Sequence, residues 1–188
     1  MAGDSAVSTA QTVISVIIPL FNCEAFIEEA LDSVTSQTVL KNPRVRVEIS
    51  ICDDGSSDRG LEIVDAWKEK SKSVTVLASR NPVNLGPGES RNVAVRQSSG
   101  EYLAMLDADD VMLPDRLEKQ LVALLASPQP DATIVGCHFQ RFPTDSTPRY
   151  QEWHNAMTPE QRVTQRFREL TIILPTWFLS RRRFDSLG

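Results

Sequence analysis

The sequence has few of the residues that build disulfide scaffolds, zinc sites or membrane spans. Its 188 residues include three cysteines and two histidines. That count is too small and too scattered for a disulfide framework or a zinc site. The first apolar run, 13–21, is interrupted by Ser15 and Pro19 and is far shorter than the ~20 residues that cross a bilayer. We therefore expect a protein without a membrane span.

Positive charge is also in the minority. There are 20 Lys and Arg against 25 Asp and Glu, giving a net charge of −5. This balance gives no support to a nucleic-acid-binding function that depends on phosphate neutralisation. The first residues lack the positive and apolar regions of a signal peptide, so we predict a cytoplasmic protein. Length and composition indicate one globular domain.

What the sequence does contain is a regular alternation of strands and helices. After a flexible leader over 1–12, we predict one domain over 13–188. Predicted strands cover 13–18, 45–52, 74–77, 102–106 and 132–139, followed by a partly extended run over 172–179 and no closing helix or strand. Predicted helices cover 24–38, with Asn22 as N-cap, then 58–72, and then the stretch from the 84–88 turn to Gln97. A fourth helix is predicted after Pro114, and it buries Leu117, Leu121, Leu124 and Leu125. A fifth covers 158–170. The alternation predicts an α/β sandwich with a mostly parallel sheet.

Acidic clusters follow two of these strands. Asp53 and Asp54 come after the second strand, and Asp107, Asp109 and Asp110 after the fourth. Parallel strands present their carboxyl ends at one edge of a sheet, where ligands of such folds bind. Carboxylates crowded there repel one another, and a hard divalent cation offsets the repulsion. Oxygen ligands without Cys or His indicate Mg²⁺ or Mn²⁺.

These clusters also fit a nucleoside diphosphate. In Asp107-Ala108-Asp109, one carboxylate can hold a metal that bridges two phosphates while the other accepts from a ribose hydroxyl. Asp54 can accept the N3–H of uracil, a group that cytosine lacks. After the first strand, Phe21 offers an apolar surface to the base. Taken singly, the two clusters can also be turns that cap helices, and the segment from Pro19 to Phe21 can be ordinary packing.

The glycine-rich stretch 84–91 has two interpretations. It is no dinucleotide fingerprint, since it contains Pro87, ends in Arg91 and does not follow the first strand. Arg91 either reaches the nucleotide pocket from this loop or is a surface helix residue. The basic run 181–183 can approach the diphosphate or be a solvated helix start. Trp153 and Trp177 can form an acceptor platform or pack in the core.

Together these motifs resemble the family 2 inverting glycosyltransferases of the GT-A fold. The resemblance is carried by 16–22, 53–58, 84–92, 106–110 and 114–117, and covers 13–126 continuously. It implies a hexosyltransferase with a UDP-linked sugar donor, a divalent cation and a hydroxyl acceptor on a glycan or other molecule. Within the family, the similarity to N-acetylglucosaminyltransferase-like members implies N-acetylglucosamine as the sugar.

The resemblance also implies a role for each motif residue. Uridine contacts fall on Pro19, Leu20, Phe21 and Asp54, the ribose or diphosphate contact on Asp107 beside Ala108, a further contact on Arg91, and the metal on Asp109. The family's acidic general base follows a segment that starts where this chain stops. We therefore expect the base beyond Gly188, with Asp185 a helix-start residue and the acceptor half incomplete.

Two other function classes fit parts of this pattern. A nucleotide-sugar-binding module with little or no turnover is the alternative that a missing base predicts. A phosphohydrolase with a nucleophilic Asp-x-Asp would need the motif after the first strand and a later acidic pair. Here Asp107 follows the fourth strand, which argues against that class.

Overall fold

The computed structural model describes residues 11–166 and 170–187. Its centre is a six-stranded sheet in the order β3-β2-β1-β4-β6-β5. The strands are β1 (Thr12–Leu20), β2 (Val45–Asp53), β3 (Thr75–Arg80), β4 (Tyr102–Met105), β5 (Ile134–Val135) and β6 (Phe178–Ser180). The first four run parallel, and β6 is antiparallel to both of its neighbours. The predicted mostly parallel α/β sheet is confirmed.

Seven α-helices are present in the described residues. They are α1 (Ile27–Thr35), α2 (Gly60–Lys70), α3 (Pro87–Gln97), α4 (Arg116–Leu125), α5 (Pro148–Asn155), α6 (Pro159–Thr164) and α7 (Arg181–Asp185). Short 3-10 turns cover Thr38–Lys41, Pro130–Ala132 and Leu174–Thr176. None of these helices is long and apolar enough to cross a membrane. The predicted leader over 1–12 lies largely outside the described residues, and β1 already includes Thr12.

Alternate side chains of β1 enter two separate cores because a strand sends successive residues to opposite faces. Ile14, Val16 and Ile18 join the larger core, whereas Ile17 joins the smaller one. The smaller core also receives Ala94 from α3. A strand covered on both faces explains the near-continuous apolar run over 13–18.

Two predicted details of the helices are wrong. Asn22 does not cap α1, which starts at Ile27; its backbone is left-handed with φ 50°, and its Oδ1 accepts from the Ser57 amide at 2.9 Å. Leu125 is 56% exposed. It lies eight positions after Leu117, a rotation of roughly 80° away from the buried stripe.

The carboxyl-terminal third departs most from expectation. The predicted strand 132–139 shrinks to Ile134–Val135, because its one partner is the short β6. The helix from Thr158 begins with the expected capping box but ends at Thr164, and 167–169 lie outside the described residues. The predicted lack of a closing element is wrong, since β6 and α7 follow. Helix α5 had no counterpart in the prediction.

Candidate nucleotide-sugar site

The ends of β2, β1 and β4 lie side by side at one edge of the sheet. The loops that follow them carry Asp54, Phe21 and the acidic loop 107–110. The structure therefore brings the sequence-predicted motifs to a common edge. Strand β1 separates β2, which precedes the Asp54 loop, from β4, which precedes the acidic loop, so these two strands lie two strand spacings, or roughly 10 Å, apart.

Hydrogen bonds and an ion pair of Asp53 hold the loop after β2 in place. Asp53 is fully buried, and its Oδ1 accepts from the Ser56 amide at 3.2 Å and from the Ser56 hydroxyl. The Arg80 guanidinium lies 3.2 Å from Asp53 Oδ2 and donates to the Ser56 carbonyl at 2.6 Å. The turn also needs Gly55, whose φ is +76° and where a Cβ would lie 3.1 Å from the Val83 backbone.

Asp54 points into the loop that follows β3. Its Oδ1 accepts from Asn81 Nδ2 at 2.8 Å and from the Leu85 amide at 2.9 Å, while Oδ2 accepts from the Gly86 amide at 2.8 Å. Burial alone would raise the pKa of Asp54, but these bonds and one from Ser90 outweigh it and lower that pKa. Asp54 is therefore an anion that shapes the 81–86 loop.

Arg91 and Asp107 form an ion pair across the site. Arg91 Nη2, from α3, donates to Asp107 Oδ1. The Arg91 side chain is 14% exposed, and its Nε is buried without a hydrogen-bond partner among the described residues. Arg91 is thus an inward-facing residue of the edge and not an exposed residue of the helix surface; its contact with a nucleotide stays a prediction.

Asp109 and Asp110 complete the acidic loop. Asp109 is exposed, and within 11–166 and 170–187 its carboxylate has neither a hydrogen bond nor an ion pair. Partial withdrawal from water, together with the charges of Asp107 and Asp109, raises the pKa of Asp110 to about 6. Arg116 and Arg141 act in the opposite direction. The loop therefore carries more negative charge than its surroundings balance.

Residues of the first loop adjoin the acidic loop. Phe21 is 45% exposed, so its ring is available to a ligand. The Cys23 thiol donates to the Phe21 carbonyl at 3.3 Å. Burial and the neighbouring Asp109 raise the pKa of this thiol, with smaller contributions from Asp58 and Asp107. Cys23 is therefore within electrostatic range of Asp109 and Asp107.

Three predicted contact residues expose little or no side chain at the edge. Leu20 and Ala108 are buried in the larger core, and Pro19 is half-buried within β1. The Leu20 carbonyl already accepts from the Asp54 amide at 2.8 Å. Leu20 and Ala108 can meet a ligand only through their backbone.

Sequence analysis missed several residues that build the edge. Asn81 follows directly after β3. The predicted third strand ended at residue 77, so the sequence did not indicate Asn81 as a residue that follows a strand. Arg116 is half-buried and donates at 2.7 Å to the carbonyls of Met105 and Pro175, joining the end of β4 to the segment before β6. The motif 114–117 includes Arg116 but does not reveal this role, because the two carbonyls that Arg116 joins are 11 and 59 residues away.

The basic run 181–183 and the tryptophans Trp153 and Trp177 were the other candidates for ligand contacts. Arg181 donates to the carbonyls of Gly100 at 2.7 Å and Val95 at 3.0 Å. These carbonyls lie where the parallel strands begin, at the end of the sheet that we call the amino edge. The hypothesis that the run 181–183 approaches the diphosphate is therefore wrong. Trp177 packs against the smaller core and donates from Nε1 to the Ile172 carbonyl at 2.8 Å, whereas Trp153 stays 36% exposed beside Tyr150.

No group of three or more His, Cys, Asp or Glu in the described residues is arranged to hold a metal ion by itself. The expectation that Asp54 and the acidic loop gather around one cation thus needs revision, because Asp54 is occupied by the 81–86 loop. A Mg²⁺ or Mn²⁺ ion commonly takes one or two carboxylates and completes its shell with substrate phosphates and water. The free carboxylate of Asp109 fits that simpler arrangement.

Comparison with known proteins finds glycosyltransferases that are similar in sequence to this chain. TarS of Staphylococcus aureus, a poly(ribitol-phosphate) β-N-acetylglucosaminyltransferase, is 33% identical over 122 residues, covering 64% of this chain and 20% of TarS. A glycosyltransferase of Haemophilus influenzae without assigned activity is 34% identical over 113 residues, covering 60% of this chain and 42% of that protein. The chain therefore spans less than half the length of these curated relatives.

Solved structures agree with this comparison. TarS residues 1–349 in complex with UDP superpose with a TM-score of 0.53 at 32% identity, over 61% of this chain and 32% of that one. A mannosyltransferase of Pyrobaculum calidifontis, in complex with GDP-Man and Mn²⁺, gives a TM-score of 0.69 at 24% identity, over 96% of this chain and 48% of that one. This second likeness shows the GT-A fold. The model of Glycosyl transferase family 2 matches residues 15–188, and the chain belongs to that family.

Proposed function

We propose that this chain carries the donor site of a hexosyltransferase that moves N-acetylglucosamine from UDP-N-acetylglucosamine to an acceptor hydroxyl, with inversion and with Mn²⁺ or Mg²⁺. Family membership supports a nucleotide-sugar donor. The choice of UDP and of N-acetylglucosamine is supported by TarS, whose structures were solved with UDP and with UDP-GlcNAc. The motifs are also similar to those of the β-1,3-N-acetylglucosaminyltransferase-like proteins.

The uridine is assigned to the edge between β1 and β2. The exposed Phe21 ring covers the base, and the backbone of Pro19 and Leu20 borders it. Oδ2 of Asp54 accepts one amide hydrogen in the structure, and a carboxylate oxygen has room for a second donor. The N3–H of uracil is such a donor, and cytosine has none at that position.

The diphosphate is assigned to the region of Arg91 and the acidic loop. Donor binding brings phosphate oxygens to Arg91, whose buried Nε lacks a partner among the described residues. Asp107, released in part from Arg91, then accepts from the ribose or orients the diphosphate beside the Ala108 backbone. Asp109 would hold the metal, which when bound supplies charge neutralisation on the leaving diphosphate.

Transfer then requires in-line attack by the acceptor oxygen on the anomeric carbon. The carbon–oxygen bond to the diphosphate breaks as the new glycosidic bond forms, and inversion follows from attack on the opposite face. A general base for the acceptor proton is worth about 10²–10⁴ in rate. We do not assign that base to Asp185, because it lies in α7 at the amino edge, away from the site.

A nucleotide-sugar-binding module with slow turnover is the second candidate, and the position of Asp185 favours it. Both candidates rest on the single observation that a free carboxylate, Asp109, an inward-facing cation, Arg91, and an exposed aromatic ring, Phe21, share one sheet edge. Calorimetric titration with UDP-N-acetylglucosamine and Mn²⁺ tests the shared donor site. We expect binding to wild type and a loss of at least tenfold in Asp109→Asn.

Product analysis separates the two candidates. Release of free UDP that depends on a hydroxyl acceptor reports transfer, and release without any acceptor reports hydrolysis. Binding without release supports the module, and acceptor-dependent release supports the transferase. Equal affinity of wild type and Asp109→Asn in the presence and absence of Mn²⁺ contradicts the metal assignment in both.

A further inference from the structure

The amino edge of the sheet, opposite the candidate site, carries a concentration of unpaired positive charge. Six cations surround the starts of β2 and β3: Lys41, Arg44, Arg46, Lys68, Lys70 and Lys72. We call this set the basic edge. The parallel topology explains it, since β2 and β3 both start at this edge and α2, which connects them, ends there.

Two of the six cations, Arg46 and Lys72, border one groove. This groove runs between the start of β2 and the start of β3, lined by Arg46, Lys72, Ser73 and Thr75. All six cations are exposed. Glu69 is the one carboxylate in the two segments 40–46 and 68–75 that supply them.

What separates the basic edge from an ordinary solvated surface is the absence of partners. In the part of the chain that the structure describes, none of the six cationic side chains makes an ion pair or a hydrogen bond; Arg44 donates to Asn42 through its backbone amide alone. Over the same residues, the remaining Lys and Arg side chains have a partner, with Arg149 as the exception. Lysines in the last turn of α2 also complement the helix dipole, but this does not account for Arg44, Arg46 or Lys41.

We propose that the basic edge docks the protein on a bilayer containing anionic phospholipids, with the nucleotide-sugar edge facing away from the lipid. Lysine and arginine clusters of this size are attracted to anionic headgroups. The large apolar side chains that are exposed, such as Phe21, Leu113 and Phe142, lie in other segments, so the contact is with headgroups and not with acyl chains. This inference goes beyond the proposed transfer reaction.

The net charge of −5 does not oppose such docking. The acidic loop lies at the other end of the strands, and nine residues of β2 span about 30 Å. The Debye length at physiological ionic strength is about 8 Å, so the acids at the far edge are screened from the lipid. The positive charge of the basic edge, and not the net charge of the chain, therefore decides whether this surface attracts the lipid.

Lipid vesicles provide the test. The full chain is sedimented with phosphatidylcholine vesicles that contain either no phosphatidylserine or about one third of it, at low and high salt. We expect binding to the anionic vesicles alone, and its loss at high salt. In Arg44→Gln/Lys72→Gln the partition coefficient should fall about 30-fold, since each basic residue near the surface contributes about fivefold.

The matched control removes two positive charges elsewhere. Lys119→Gln/Arg149→Gln changes the net charge equally at exposed positions outside the basic edge and should alter partitioning less than twofold. Lys68→Gln/Lys70→Gln is the second basic-edge variant if the first does not fold, as judged by its thermal transition. The proposal is overturned if wild type does not sediment, if the control loses as much binding, or if inorganic polyphosphate binds the chain while anionic vesicles do not.

Discussion

Arg91 on α3 holds the carboxylate of Asp107 at the end of β4, so two predicted nucleotide contacts are bound to each other in the ligand-free protein. The ion pair holds the Arg91 side chain inward. At the proposed donor site, a diphosphate would have to compete with this pair for Arg91. The first prediction follows from this pair.

Replacing Arg91 by methionine should weaken UDP binding by about 10- to 100-fold, the effect of losing a hydrogen bond to a charged group. Arg91→Lys should recover part of it, because lysine keeps the charge but not the planar fork. Isothermal calorimetry measures both. Arg96→Met, on the same helix but paired with Glu89 at the surface, is the control. Unchanged UDP affinity in Arg91→Met would remove Arg91 from the site.

Replacing Gly55 by alanine should destabilise the protein by about 1–3 kcal/mol. Its φ of +76° disfavours any side chain, and the new Cβ would lie 3.1–3.3 Å from the backbone of Val83 and Asn84. Gly88→Ala is the matched control, since a Cβ there meets nothing within 4 Å and the residue lies in α3. Urea unfolding compares the two. A Gly55→Ala protein as stable as Gly88→Ala would show that the turn is not as tight as described.

Asp110→Asn should stabilise the metal-free protein in a pH-dependent way. The folded-state pKa of Asp110, about 6, lies above the ordinary aspartate value near 3.9, so the folded protein binds the proton more tightly than the unfolded one. Stability from this group is present below pH ~4 and lost as pH rises through 6. The variant should therefore gain over wild type at pH 7.5 and match it at pH 4.

Melting temperatures across this pH range measure the effect, with chelator present. Asp145→Asn serves as control, because Asp145 is exposed and its side chain has no hydrogen bond or ion pair within the described residues. A gain that is the same at pH 4 and pH 7.5 would contradict the crowding of charge in the acidic loop.

Glu48→Gln should cost about 2 kcal/mol. Its Oε1 accepts from Ser15 Oγ at 2.7 Å and from the amides of Ser99 at 2.5 Å and Gly100 at 3.1 Å. Burial raises the pKa of Glu48, but these bonds outweigh it and lower the pKa. The carboxylate thus stabilises the fold above pH ~4.3, and this contribution is lost as pH falls through the lower folded pKa.

Chemical unfolding at pH 7 and at pH 3 tests this assignment. The difference between wild type and Glu48→Gln should shrink at the lower pH. Glu152→Gln, at an exposed position on α5, should change stability by less than 0.5 kcal/mol at either pH. A Glu48→Gln protein that is as stable as wild type at pH 7 would contradict the buried network.

The parallel half of the sheet could be predicted from the sequence because local patterns suffice there. Apolar runs covered on both faces identify β1 and β2, and turn residues mark where each run stops. Since parallel strands end at one edge of the sheet, the sequence predicts that Phe21, Asp54 and Asp107 lie at the same edge. The position of the site followed from the topology alone.

Tertiary structure decided which partner each of those groups has. Asp54 is turned into the 81–86 loop, and Asp107 is bound by Arg91 from a different helix. The return of β6 beside β4 depends on contacts about 75 residues apart along the chain, such as Leu103 with Leu179. Sequence periodicity reports the local fit of a segment to a core, whereas long-range pairing depends on surfaces that exist only once the chain has folded.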